Sequence, residues 1–230
     1  MAGNPVPDGD AVGEDREVLV VPESGPYRRK ESYSQHGEDR FLQGLLPAGH
    51  PRFVVDVGAN DGYSWSNSYL FGALGYRVML IEPMPYYVEQ CHQVYGGAPN
   101  AIIERAAITP EVGRAEFFVN MDTESDLLAM RSSLKRLQVR SARVEAIEVE
   151  TTPLHLLLER HRWPADYALL SVDAEGSDLD VLKSARLDVY RPILICVEEQ
   201  AFGNVIHDYL VPQGYERCAT LGPNGIYRRL

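Results

Sequence analysis

Five short apolar runs limit most strongly what this chain can become: RFVVDVG (52–58), YRVMLIE (76–82), NAIIERAAI (100–108), YALLSVDA (167–174) and PILICVE (192–198). Runs this short, rich in Val, Ile and Leu, read as strands buried on both faces. Helix-like stretches lie between them. SWSNSYLFGAL (64–74) opens with serines that can cap free N–H groups, and PYYVEQCHQVYG (85–96) has Pro in its first turn and Gly at its end. TPLHLLLERHRW (152–163) and SDLDVLKSAR (177–186) also start with capping residues. Strands alternating with helices predict an α/β fold, a doubly wound and mostly parallel sheet with helices on both faces.

Two segments depart from the alternation. RAEFFVNM (114–121) and ARVEAIEVET (142–151) read as strands flanking an irregular loop, so a hairpin insertion is expected at about 112–151. The end, YERCATLGPNGIYRRL (215–230), reads as strand, turn and strand, which adds an antiparallel C-terminal strand. Residues 1–31 are rich in Pro, Gly and acids and read as a mobile N-terminal arm with room for one short strand at 17–21. The rest, 32–230, reads as one domain. The arm is placed to exchange between subunits of a homo-oligomer.

Composition excludes several classes. The formal net charge is −11, which opposes binding to a nucleic-acid backbone. The one basic stretch, 132–143, reads as a solvated segment. Cys91, Cys196 and Cys218 are scattered, without the spacing of a zinc site or a disulfide framework. No apolar run reaches the ~18 residues that span a bilayer. With no signal-peptide pattern at the start, the expected location is cytoplasmic, with no membrane partner.

The first strand ends in Asp56–Val57–Gly58, and Asn60 and Gly62 follow. In an open α/β sheet the ligand crevice lies beyond the carboxyl ends of the strands. Glycine there admits close approach. A helix start near Ser64 would offer free N–H groups to an anionic group. Glu82, ending the second strand, is placed to accept hydrogen bonds from both hydroxyls of a ribose. The pattern is GxNxG rather than the GxGxxG of a nicotinamide dinucleotide site, and no P-loop lysine follows. A nucleoside with a small zwitterionic tail, S-adenosylmethionine, fits better.

YSQHGEDRFL (33–42), VVDVGANDGYS (54–64), IEP (81–83), SVDAEGSDLDVLKS (171–184) and ICVEE (195–199) together resemble the FkbM-type S-adenosylmethionine-dependent methyltransferases, in the family's order over 32–230. The resemblance implies the seven-stranded class I, Rossmann-like methyltransferase sheet and O-methylation of a hydroxyl on a natural product or sugar. It implies that Asp56, Gly58, Asn60 and Gly62 line the cofactor, that Glu82 holds the ribose, and that Ala106 and Ala107 lie near the adenine. Ser171 stands where many relatives carry Lys.

A hydroxyl acceptor needs its proton removed or its alkoxide stabilised by a metal. Asp173 and Glu175 end the fourth strand, and Glu198 and Glu199 the fifth. Two roles compete for Asp173 and Glu198: a carboxylate base, or with Glu199 a Mg²⁺ site. Glu175 either joins the chemistry or, like Asp178, caps the following helix. His207 is a further candidate base, against a structural or surface role. Gln35 and His36 are placed to fold over the methionine end of the cofactor, against a local helix-capping role for His36. Tyr63 can pack on the cofactor, and Trp65 and Tyr69 read as one buried helix face. His155 and His161 read as surface residues. The alternatives kept open are N-methylation of an aminosugar-like acceptor, another nucleotide-dependent α/β enzyme, and a non-catalytic nucleoside-binding module.

Overall fold

The computed structural model describes residues 30–121, 132–135, 143–199 and 203–230. Most of the expected arm, with its strand at 17–21, and most of the basic stretch 132–143 lie outside them.

Seven strands form the main sheet, in the order β3-β2-β1-β7-β8-β10-β9. They are β1 (Phe53–Val57), β2 (Arg77–Ile81), β3 (Ala101–Glu104), β7 (Asp166–Val172), β8 (Arg191–Glu198), β9 (Tyr215–Leu221) and β10 (Asn224–Arg229). Strands β3, β2, β1, β7 and β8 pair in parallel, and β10 is antiparallel to both its neighbours. The sheet is doubly wound. Alternate residues of one strand supply opposite cores: Val55 and Val57 of β1 face one, and Val54 the other. Helices α4 (Leu154–Arg160), α5 (Asp178–Ser184) and α6 (Val205–Leu210) cover the first face through Leu157, Leu182 and Ile206. Helices α1 (Glu38–Leu45), α2 (Tyr69–Ala73) and α3 (Pro85–Tyr95) cover the second through Leu42, Phe71 and Val94.

The hairpin insertion forms β5 (Gly113–Asn120) and β6 (Val144–Thr152), paired antiparallel. The stretch expected as one strand at 100–108 is broken. β3 pairs with β2, whereas β4 (Ala107–Ile108) leaves the main sheet and pairs with β6, forming a three-stranded sheet β4-β6-β5.

The helix expected at 64–74 is also shorter, covering only Tyr69–Ala73. Local side-chain bonds take the backbone donors that a longer helix would leave free: Asp61 Oδ1 accepts the N–H groups of Tyr63 and Ser64, and Ser66 Oγ those of Ser68 and Tyr69. Trp65 between them is left-handed, at φ 56°, and pairs as an isolated bridge with Ser34. Trp65 and Tyr69 therefore do not share a face: Tyr69 is fully buried and Trp65 is 40% exposed.

The chain runs from central β1 outward to β2 and β3, then returns to the other side of β1 as β7. At this reversal Gly58, at φ 82°, lies directly against the backbone of Asp173, and a β-carbon would overlap the Asp173 carbonyl oxygen. The glycine is required by the protein's own strand ends. Gly58→Ala is expected to destabilise the fold by roughly 3 kcal/mol, combining backbone strain with the overlap. Urea denaturation of the two proteins measures the difference, and near-equal stability would contradict this packing.

Candidate active site

Four parallel strands deliver an acid at or just past their carboxyl ends: Asp56 on β1, Glu82 after β2, Asp173 after β7 and Glu198 on β8. Together they line a cavity of about 710 Å³. It sits at the switch in strand order, where open α/β sheets hold ligands.

Glu82 is 6% exposed. Its Oε2 accepts the Asn60 N–H at 3.0 Å and its Oε1 the Met84 N–H at 2.9 Å. A carboxylate has about four acceptor positions, so each oxygen keeps one for a ligand hydroxyl. Burial pushes its pKa up to about 7, the two N–H groups opposing and the nearby Asp56 and Asp173 adding to the rise. Asn60 is left-handed at φ 52°, a conformation asparagine tolerates, and its carbonyl accepts the Cys91 thiol at 3.0 Å.

Asp56 is buried and accepts the Ser68 hydroxyl at 2.5 Å, and Ser171 also favours its charged form. Burial raises its pKa against those two serines. The Asn67 amide donates to Ser171 Oγ at 3.2 Å, so a polar chain runs from the 64–68 loop to Asp56. Asp173 is exposed to the cavity, and the Glu175 backbone opposes the rise of its pKa. Its pKa is raised first by desolvation at the protein wall, then by Glu198, Asp56 and Glu38. Asp178 turns away from chemistry: its carboxylate accepts the N–H groups of Ala174 and Gly176, at 2.9 and 3.0 Å, and burial pushes its pKa up to about 7. It closes the turn before α5, which is its capping reading.

Gln35, His36, Asp56, Gly58, Asn60, Ser64, Glu82, Ala106, Ala107, Asp173, Glu175 and Glu198 all line the cavity. Three expected site residues do not. Gly62 packs outward on α3, where a β-carbon would sit 3.1 Å from Cys91 Sγ and 3.2 Å from the Tyr95 ring. Glu199, just past β8, turns away from the cavity and is bonded to Arg217 at 2.7 Å and to the Tyr227 hydroxyl at 2.6 Å. His207 sits on α6 beside the Tyr227 ring and away from the cavity lining, so it is not placed as the base. With Glu199 turned away, the expected Mg²⁺ set is not assembled, and among the described residues no three His, Cys, Asp or Glu side chains group as a cation site. Ser64 lines the cavity but starts no helix. Its N–H is held by Asp61 at 2.6 Å, so the expected donor array is not there. Tyr63 packs among Tyr33 and Tyr69 under Lys30, not in the cavity. Of the two histidines read as surface residues, His155 bonds the Ser184 carbonyl and His161 bonds Glu104.

Several lining residues escaped the sequence reading. Trp65 and Asn67 enter because the chain stays irregular there, and Phe117, Ser132 and Leu134 come from the hairpin. Glu38 is fully buried and bridges the His36 N–H and the Asn224 side chain, each at 2.8 Å. His36 itself lies against the turn after β9, where a β-carbon at Gly222 would overlap its ring. Glu38 had a visible signal, as an acid beside the singled-out Gln35 and His36.

The charged side chains of the lining are one-sided. Glu38, Asp56, Glu82, Asp173, Glu175 and Glu198 are acids, and among the described lining residues there is no Lys or Arg. Such a wall disfavours a pyrophosphate and favours a ligand carrying positive charge.

The strand order, the antiparallel β10 and the acid-tipped crevice define a class I methyltransferase fold. The methyltransferase FkbM domain model matches residues 56–216. The chain belongs to this FkbM methyltransferase family. Among solved structures, it is similar to methyltransferase FkbM from Methylobacillus flagellatus KT, at 16% identity and a TM-score of 0.54, over 85% of this chain and 48% of that one. It thus spans about half the length of that protein, and at this identity the likeness is one of fold. A methyltransferase from Geobacter sulfurreducens aligns at 14% identity and a TM-score of 0.49, over 86% of this chain and 81% of that one. No curated protein matches the chain. Among the described residues no helix is long and apolar enough to cross a membrane.

Because the folded pKa of Glu82 lies above its unfolded value, its contribution favours the folded state below about 4.5 and is lost as pH rises through about 7. Between pH 5 and 8, ligand-free protein should lose on the order of 2 kcal/mol more stability than Glu82→Gln. Urea midpoints of both proteins across that range check this, and parallel pH curves would contradict it.

Proposed function

We propose that the chain is an S-adenosylmethionine-dependent O-methyltransferase acting on a hydroxyl of a small molecule, a natural product or sugar moiety. The observation that carries this reading is the pairing of two acidic positions in one cavity: a ribose-competent Glu82 after β2, and Asp173 with Glu198 beyond β7 and β8.

The residues fit the cofactor. Glu82 retains acceptor positions for two ribose hydroxyls. Ala106, Ala107 and Ile108 offer a small apolar wall for the adenine. Asp56, Gly58 and Asn60 would border the middle of the cofactor and Gln35, His36 and Ser64 its methionine end, all six lining the same cavity. The acid-rich wall suits a sulfonium and an ammonium group better than a dinucleotide. When bound, S-adenosylmethionine supplies an electrophilic methyl group on a sulfonium. The protein then has to align the acceptor, exclude water and take up a proton. Asp173 is the group proposed to accept the hydroxyl proton, since its carboxyl faces the cavity and its pKa is raised from the ordinary acid range towards neutrality. Glu198, whose charge raises it, lies beside the same space.

A second reading, transfer to an amine, is favoured by the same wall, which would attract a protonated aminosugar-like acceptor. A screen of hydroxylated compounds and their amino counterparts with labelled methyl donor separates the two.

Calorimetry with S-adenosylhomocysteine tests the cofactor assignment. Wild-type protein should bind it, and Glu82→Ala should lose at least about tenfold in affinity, because two hydroxyls lose a charged acceptor. No heat with the wild type would sink the proposal. With an acceptor from the screen, Asp173→Asn should lower kcat by about 10²–10⁴-fold. Unchanged kcat would remove Asp173 as base.

A further inference from the structure

The acid that faces the cavity is only as well placed as the turn that carries it. That turn contains two consecutive left-handed residues, Glu175 at φ 46° and Gly176 at φ 95°. Glycine tolerates this freely, whereas glutamate carries a backbone penalty that its surroundings must offset. Glu175 stands two residues beyond Asp173 in the same turn, so any relaxation of Glu175 is felt at that carboxylate.

Both ends of the Glu175–Gly176 peptide plane are gripped. On one side Asp178 Oδ2 accepts the Gly176 N–H at 3.0 Å. On the other, the Ser133 hydroxyl donates to the Glu175 carbonyl at 2.7 Å. Lys135 Nζ adds a bond to the next carbonyl, that of Gly176, at 2.5 Å. Ser133 comes from the hairpin and is fully buried. It is fixed there by two antiparallel bonds with Phe118, at 2.8 and 3.0 Å. Ser132 and Leu134 line the cavity, while Ser133 and Lys135 reach the turn. The Ser133 oxygen also accepts the Lys135 N–H at 2.9 Å, which orients the hydroxyl proton towards Glu175.

We infer that Ser133, assisted by Lys135, is a positioning residue that locks the Asp173–Gly176 turn, so that the hairpin wall and the acid facing the acceptor form one mechanical unit. Its meaning for catalysis rests on the methyltransferase reading above, but the lock itself does not. Without the hydroxyl, the Glu175–Gly176 plane is held at one end only and can rotate. Glu175 then leaves the left-handed region, and the turn that carries Asp173 loosens.

The test uses ¹⁵N-labelled full-length chain and amide hydrogen exchange. In Ser133→Ala, the Glu175 and Gly176 amides should exchange at least about tenfold faster, while β1 and β7 amides keep their rates. Ser133→Thr retains the hydroxyl and should stay near wild type. With an acceptor from the screen, Ser133→Ala should lower kcat, leave the KM for S-adenosylmethionine in place, and be rescued by Thr. Unchanged exchange at both amides in Ser133→Ala overturns the inference, as does equal loss in Ala and Thr variants. Should Ser133→Ala not fold, Lys135→Met supplies the arm: faster Gly176 exchange supports the lock and unchanged exchange overturns it. Calorimetry with S-adenosylhomocysteine on the same samples keeps the two readings apart. Absence of binding by wild type rejects the cofactor assignment, whereas the exchange rates alone decide the lock.

Discussion

The approach of Gly58 to the Asp173 carbonyl is the constraint from which the rest follows. The β1 and β7 ends close to backbone contact only because Gly58 has no side chain, and Asp173 N–H completes the seam by bonding the Val57 carbonyl at 2.9 Å. That closure brings Asp56 and Asp173 to one rim. The register then sets the others: Val57 pairs with Ile81 and Val172 with Val197, so Glu82 and Glu198 emerge at the same level. The acids are neighbours because of strand pairing. Burial raises the pKa of Asp56, Glu82 and Asp173, and neighbouring acids add to the rise at Glu82 and Asp173.

Each acid offsets its burial locally. Glu82 takes two backbone N–H groups, Asp56 the Ser68 hydroxyl, and Glu38 one N–H and one amide. A cationic ligand would relieve the same repulsion, which links the wall's charge to the chemistry proposed for it. The cavity is thus built to gain when positive charge enters.

The main sheet was legible because its strands are buried on both faces, so their apolar runs stand out without tertiary knowledge. The site was legible where residues sit at strand ends, as Asp56, Glu82 and Asp173 do. It was less so where a distant partner decides the direction of a side chain. Adjacent Glu198 and Glu199 look equivalent in sequence, yet Arg217 and Tyr227 draw the second away. Gly62 looks like part of the ligand loop, but its space is taken by Cys91 and Tyr95. The helix expected from Ser64 failed for a local reason, since Asp61 and Ser66 satisfy the very N–H groups that a helix start would expose. Gly58 was recognised as a close approach, although what approaches it is the chain itself.

Glu38 and Asn224, joined by one hydrogen bond, stand 186 positions apart. One wall of the cavity is therefore a suture between early and late parts of the polypeptide. During synthesis a growing chain has all five parallel strands well before Asn224 emerges, but this wall stays unstitched until then. A chain without β10 lacks Asn224, so the crevice has no closure on that side.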